Sequence, residues 1–243
     1  MSVAVSLFTF LVGLIFALTV LDQFLERKRP YQAAWAVGLF FYAAASLLQA
    51  LWLMGVYAEA VFRLWYWMGA MLVAAYLGMG SLYLHVPLKV GHGALAVLLV
   101  LTALSALLSL GVTLQGDVSL LEGGELATIV PGTDSERYFP VYVGILTAVL
   151  NTLGAGIMIG SAIYSAIVFL RKRAPGFRVV SNVLIAVGAI VSAAGGTLER
   201  FNLPQPHALA LLIGLVLIYL GFLRSREVFV IYRIPFVRKA KAA

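Results

Sequence analysis

Apolar residues fill this 243-residue chain in runs about twenty long, each closed by a short polar or charged stretch. A helix needs roughly 20 apolar residues to cross the hydrocarbon core of a bilayer. The pattern therefore predicts seven membrane-spanning helices, near 3–23, 33–54, 62–84, 93–114, 139–170, 179–198 and 206–224. In lipid each backbone N–H and C=O must find a partner within the protein, and runs this long and uniform do not read as the alternating strands of a barrel. The expected fold class is thus an all-α integral membrane protein, a seven-transmembrane-helix bundle. The first run lacks the basic lead of a cleaved signal peptide, so it is expected to be retained as a helix. The fifth is long for a simple crossing; Pro140 is expected to start it, with the excess taken up by tilt or projection.

The polar interruptions are not alike. FLERKRPYQAAW (24–35) and FLRKRAPGFRVV (169–180) carry the same punctuation, Phe-Leu followed by a cationic cluster and a proline. One side of the predicted topology holds Arg27, Lys28, Arg29, Lys89, Arg171, Lys172, Arg173, Arg178, Arg224, Arg226, Arg233, Arg238, Lys239 and Lys241, and the other holds Arg63, Arg137 and Arg200. An excess of 14 cations over 3 places the first side in the cytoplasm, with the N-terminus outside and the C-terminus inside. The expected location is a bacterial plasma (inner) membrane, crossed several times.

Each basic cluster is followed by a similar apolar text, AAWAVGLFFYAAASLLQAL in one case and SNVLIAVGAIVSAAGGTLER in the other. Helices one to three and five to seven then read as two parallel repeats joined by helix four, a 3+1+3 layout of the kind parallel repeats build in transporters. The competing reading is that cations follow any cytoplasmic helix end and that apolar segments resemble one another.

Composition narrows the class further. Of all residues 63% are hydrophobic and 11% charged, where an ordinary soluble domain carries about a quarter charged residues. The net charge of +7 is explained by membrane orientation, so no nucleic-acid partner is expected. With no cysteine there is no disulfide or thiolate site. The domain organisation is a seven-helix unit at 1–224, with an external acidic loop at 115–138 and a basic cytoplasmic tail at 225–243. The loop holds Asp117, Glu122, Glu125, Asp134 and Glu136 but no calcium-loop motif, and a solvated acidic loop is the simpler reading. In the tail Phe229, Tyr232 and Phe236 alternate with cations suited to anionic lipid headgroups.

Polar residues inside spans are costly and tend to line cavities or pair helices. Gln49, Asn151, Thr152, Ser181 and Asn182 are the candidates, with helix pairing the plainer role. At the outer ends Glu59 and Arg63 stand four apart on one face. With Glu199, Arg200, His207 and the aromatics Trp52, Trp65, Tyr66 and Trp67 they outline an outward-opening cup for a ligand. Interface aromatics are also ordinary belts. In this cup Arg63 is expected to face Glu199. The rows Gly156-x-x-x-Gly160, Ser161-x-x-x-Ser165 and Gly188, Ser192, Gly196 predict close helix approach around helices five and six.

Several chemistries are excluded. Every lysine lies in a loop or the tail, so no retinal Schiff base is available; His85, His92 and His207 lie at the boundaries, where bis-histidine haem ligation does not fit. No zinc-protease, nucleophile-elbow or phosphate-loop motif occurs. No catalytic residue, metal site or cofactor is therefore assigned.

The stretch RKRPYQAAWAVGLFFYAAASLLQAL, then VFRLWYWMGAMLVAAYLGMGSLYLH, resembles a group of uncharacterised bacterial seven-helix membrane proteins. It is also similar in style to the seven-helix sensing regions that precede some bacterial histidine kinases. The resemblance covers about a quarter of the chain and transfers no functional residues, and the protein is expected to differ from those kinases in having no effector domain. Three functions stay open. The first is a non-enzymatic receptor-like or accessory protein recognising a small molecule or a membrane-protein partner. The second is a small neutral-solute transporter built from two three-helix repeats. The third is a membrane-embedded enzyme drawing on Glu59, Glu199 and His207.

Overall fold

A computed structural model describes residues 3–115, 138–173, 175–199 and 207–224, with the backbone alone at 195–199, 207 and 208. Among the described residues the secondary structure is helical: α1 (Val3–Arg27), α2 (Pro30–Leu53), α3 (Glu59–Leu82), α4 (Leu88–Gly111), α5 (Val141–Arg171), α6 (Gly176–Glu199) and α7 (His207–Arg224). The first six are long and apolar enough to cross a membrane; the apolar helix Leu209–Arg224 within α7 is shorter. The chain is thus a multi-pass, all-helical membrane protein, and helix bounds fall within a few residues of the hydropathy runs. Pro140 sits just before α5, which is 31 residues long.

Solvent for this fold is lipid, and the surface says so. Leu107 is 72% exposed and Val100 68%, while Ser6, Gln23, Gln32, Ser105 and Ser109 are buried. Hydrophobic burial gives little drive between helices in such a medium, so association rests on close packing and interhelical hydrogen bonds. Small residues supply the closeness. Gly78 of α3 and Gly154 of α5 meet backbone to backbone, and a Cβ on Gly78 would fall 2.7 Å from the Gly154 Cα. Along α6, Gly188 and Ser192 face Gly214 of α7, and the Ser181 hydroxyl donates to the Gly221 carbonyl.

The row Gly156-x-x-x-Gly160 does not behave as expected. A Cβ at either position meets nothing within 4 Å. The buried stripe of α5 is Val143, Thr147, Leu150, Gly154, Met158, Ala162 and Ala166, a four-residue step that puts Gly154 in the seam and turns Gly156 and Gly160 outward. Gly154 and the Gly156–Gly160 row lie on opposite faces of α5, and the register of the neighbouring Gly78 decides which face enters the seam.

The helices close a ring. Contacts run α1–α2, α2–α3, α3–α5, α5–α6, α6–α7 and α7–α1, while α4 lies outside it, chiefly against α3. One apolar cluster draws on all six ring helices: Phe16 and Val20 from α1, Leu39 and Tyr42 from α2, Leu77 from α3, Met158 from α5, Ala189 from α6, and Leu215 and Phe222 from α7. Tyr42 also donates its hydroxyl across the ring to the Leu211 carbonyl, 2.8 Å away.

The two basic turns share a backbone feature. Lys28 has φ 52° and Arg173 φ 49°, each two residues before a proline. In both, the preceding helix ends by turning one residue into the left-handed region, a common helix stop, and Pro30 or Pro175 then blocks continuation. At the opposite end α2 stops with Gly55 at φ 95°, where the Val56 N–H reaches back to the Leu51 carbonyl.

Candidate functional site

Half-way along α3 the helix widens. Residues Tyr66–Leu72, sequence YWMGAML, form a π-helical segment between α-helical Glu59–Trp65 and Val73–Leu82. Such segments carry an extra residue per turn, are unfavourable when long, and occur often at functional sites. The hydropathy pattern did not reveal it, because YWMGAML is apolar on every side. The trace lies in the burial pattern instead: Phe62, Trp65 and Tyr66 are buried, and the next fully buried positions are Met71 and Leu72, a longer step than an α-helix takes.

Hydrogen bonds from two neighbouring helices, and packing against a third, hold the segment. Asn151 of α5 donates Nδ2 to the Ala70 carbonyl. The Tyr66 hydroxyl lies 3.0 Å from Thr147 Oγ1, and Thr147 in turn donates to the Val143 carbonyl, so Tyr66 is the donor of the pair. On the α4 side Trp67 donates Nε1 to Ser105 Oγ at 3.0 Å, and the Ser109 hydroxyl points at Met71 Sδ, 3.6 Å away. Gly69 packs on Ala45 of α2, whose Cβ would lie 2.8 Å from a Cβ added there.

Gln49 lies one turn beyond Ala45 on α2. It is 7% exposed and its Nε2 has no partner, and Trp52, fully buried, likewise leaves Nε1 unpaired. Buried donors without acceptors are rare and costly. Two of them stand one turn apart on α2, beside the π-helical segment.

An aromatic cluster covers it. Phe139 stacks on Phe62 at 5.5 Å and 13° and lies 4.4 Å from Tyr66; Trp52 meets Tyr57 edge-on at 5.1 Å. The Gln115 N–H donates to the Tyr138 carbonyl, which ties together the two ends of the loop between α4 and α5. Trp52, Trp65 and Tyr66 are therefore buried against these rings, where the sequence led us to expect the walls of an open cup.

The charged pair is present at the same end. Arg63 donates Nε to Glu59 Oε1 at 2.6 Å and a terminal guanidinium nitrogen to the Ser109 carbonyl at 2.7 Å. Glu59 is 57% exposed and Arg63 only 11%. The second bond puts a cation on the last turn of α4, where unsatisfied carbonyls and the helix dipole favour it. Glu199, Arg200 and His207, and with them the expected Arg63–Glu199 pair, lie outside the described side chains. So do the acidic loop at 116–137 and the tail at 225–243. Gln49, Tyr66 and Asn151 gather around one α3 segment; Glu59 and Arg63 sit at its entrance.

The other polar candidates serve packing. Ser181 bonds α7, Asn182 donates to the Arg178 carbonyl one turn back on α6, and Thr152 is on the exposed face of α5. At the basic end His85 meets the edge of Tyr164, and His92 Nδ1 lies 3.0 Å from the Tyr83 hydroxyl, whose pKa burial raises above the ordinary phenol value. Among the described residues no three potential metal ligands cluster.

No family model, no curated protein and no solved structure matches the chain. Its own geometry carries the functional argument.

Proposed function

We propose that this protein is a seven-span receptor-like or accessory protein of a bacterial inner membrane. It would recognise a small molecule or a membrane partner in the half of the bundle that holds Glu59, Arg63, Tyr66, Gln49 and Asn151. One observation carries the choice of recognition over transport: a single apolar cluster joins all six ring helices, while the unpaired donors Gln49 Nε2 and Trp52 Nε1 stand one turn apart on α2. A polar ligand group that reached those donors would give each a partner that the protein itself does not supply. The similarity in style to seven-helix sensing regions is compatible with the same reading.

Transport of a neutral solute is the second reading, and a specific observation favours it. The contact ring maps onto itself when α1, α2 and α3 are exchanged for α5, α6 and α7, as two parallel three-helix repeats around a shared axis require. The matched turns at Lys28 and Arg173 support the same equivalence.

The test is flux against binding. Purified protein in phospholipid vesicles is assayed with a panel of labelled neutral solutes, and the same panel is screened by thermal shift in detergent. Recognition predicts a compound that raises Tm in the wild type but not in Gln49→Leu or Tyr66→Phe, with uptake equal to that of protein-free vesicles. Protein-dependent uptake of any panel member overturns it in favour of transport.

A further inference from the structure

The turn between α1 and α2 is only two residues long, and its three cations do not share a role. Lys28 takes the left-handed conformation, its N–H bonded to the Phe24 carbonyl at 2.7 Å, and its ammonium lies over the Phe24 ring, 5.4 Å from the centroid. Arg27 and Arg29, on either side of it, instead line an open depression of about 600 Å³ together with Tyr31. Among the described residues no carboxylate lies within ion-pair distance of either guanidinium. Arg29 precedes the first turn of α2, whose N-terminal N–H groups add partial positive charge.

Polar groups continue inward from this rim. Gln23 lies one turn before Arg27 on α1, and Gln32 lies in the first turn of α2; they are 5% and 2% exposed. Gln32 donates Nε2 to Gln23 Oε1 at 3.4 Å, which leaves a donor, Gln23 Nε2, and an acceptor, Gln32 Oε1, each buried and unpartnered. Two free guanidiniums match the oxygens of a phosphate, which they bind by charge-assisted hydrogen bonds. The Gln23–Gln32 bond joins α1 to α2 one turn deeper than the two arginines.

We propose that this turn is a binding site for an anionic phospholipid, with the phosphodiester held by Arg27 and Arg29 and with Tyr31 as a wall of the depression. The site stands at the ends of two membrane-crossing helices, at the depth where lipid phosphates lie. A lipid, rather than free phosphate, is its source. Phosphatidylglycerol has the required feature, a phosphodiester whose charge no headgroup cation neutralises.

The experiment uses the full chain purified in a neutral detergent. Tm and native mass spectra are recorded with added short-chain phosphatidylglycerol, with phosphatidylcholine of the same chain length, and with inorganic phosphate. Phosphatidylglycerol is expected to raise Tm and to remain bound in the mass spectrum, whereas phosphatidylcholine and inorganic phosphate do neither. A surface cation contributes about fivefold to anionic lipid affinity, so Arg27→Gln/Arg29→Gln should weaken phosphatidylglycerol binding roughly 25-fold. Arg171→Gln/Lys172→Gln, which removes equal charge at the other basic turn, should leave it within about twofold of the wild type. Equal losses in the two double variants would mean general attraction and overturn the site. Inorganic phosphate that raises Tm with the same arginine dependence would overturn the lipid as its source. Should Arg27→Gln/Arg29→Gln prove unstable, Gln23→Glu in the wild-type background replaces it. A carboxylate placed beneath the phosphate must reduce phosphatidylglycerol retention, and unchanged retention overturns the proposal.

Discussion

Lys28 and Arg173, 145 positions apart in the chain, hold the same backbone conformation at the same place in two turns: φ 52° and φ 49°, two residues before a proline. Neither is a glycine, so each carries the cost of a side chain in the left-handed region, about 1–2 kcal/mol. Lys28→Gly and Arg173→Gly should remove that cost, offset in part by the greater chain entropy of glycine, for a net gain of up to about 1 kcal/mol each. Lys28→Val should destabilise by more than 1 kcal/mol, roughly, because a β-branched residue tolerates this region poorly. Equilibrium unfolding in mixed micelles reads all three. A gain at one turn paired with a loss at the other would break the equivalence.

The α3–α5 seam should be intolerant of a single methyl group. Gly78→Ala and Gly154→Ala each drive a Cβ into backbone of the facing helix, where no side chain can swing away, and should cost about 1–3 kcal/mol or more. Gly156→Ala and Gly160→Ala have open space and should be neutral or stabilising by about 0.5–1 kcal/mol through helix propensity. The same unfolding assay separates the pairs. Loss of stability at Gly156 or Gly160 would show that their face is covered in the native assembly.

Arg63 should matter more than its carboxylate partner. Glu59 is mostly exposed, so Glu59→Ala should cost under about 1 kcal/mol. Arg63→Ala also strips the Ser109 carbonyl of a charged donor, a bond of about 1.5–3 kcal/mol. Added salt should shrink the Glu59 effect and leave most of the Arg63 effect in place. Equal costs for the two would mean that the bond to α4 contributes nothing.

The π-helical segment depends on α5. Asn151→Ala removes the donor to the Ala70 carbonyl and Tyr66→Phe the donor to Thr147; interhelical bonds of this kind in membranes contribute about 0.6–2 kcal/mol. Hydrogen exchange at the amides of 66–73 should rise in Asn151→Ala and stay unchanged in α1. Uniform exchange across both helices would show that Asn151 stabilises the bundle as a whole and not this segment.

Orientation has a direct readout. Reporters fused after residue 30, after residue 175 and at the C-terminus are expected in the cytoplasm, and one within 117–135 outside. A cytoplasmic reporter at 117–135 reverses the assignment and would put the Arg27–Arg29 depression on the outer leaflet.

The sequence by itself determined the spans, because the bilayer thickness sets a length that hydropathy reports directly, and six of the predicted runs reappear as long apolar helices. It also marked the basic turns, since cation clusters and prolines are local signals, and it paired Glu59 with Arg63 through helical spacing. Partners across space were a matter for tertiary structure. In lipid nearly every face of a helix is apolar, so the sequence carries little record of which face turns inward. Gly154 rather than Gly156 enters the α3–α5 seam because Gly78 lies opposite it. The widening of α3 at Tyr66–Leu72, the burial of Trp52 and Tyr66 beneath Phe139, and the placing of α4 outside the ring all depend on contacts between segments distant in sequence. For the same reason Asn151 could be recognised in the sequence as a polar residue within a span, but its partner, the Ala70 carbonyl, could not: a backbone acceptor leaves no mark in the sequence, and only the packing of α5 on α3 selects it.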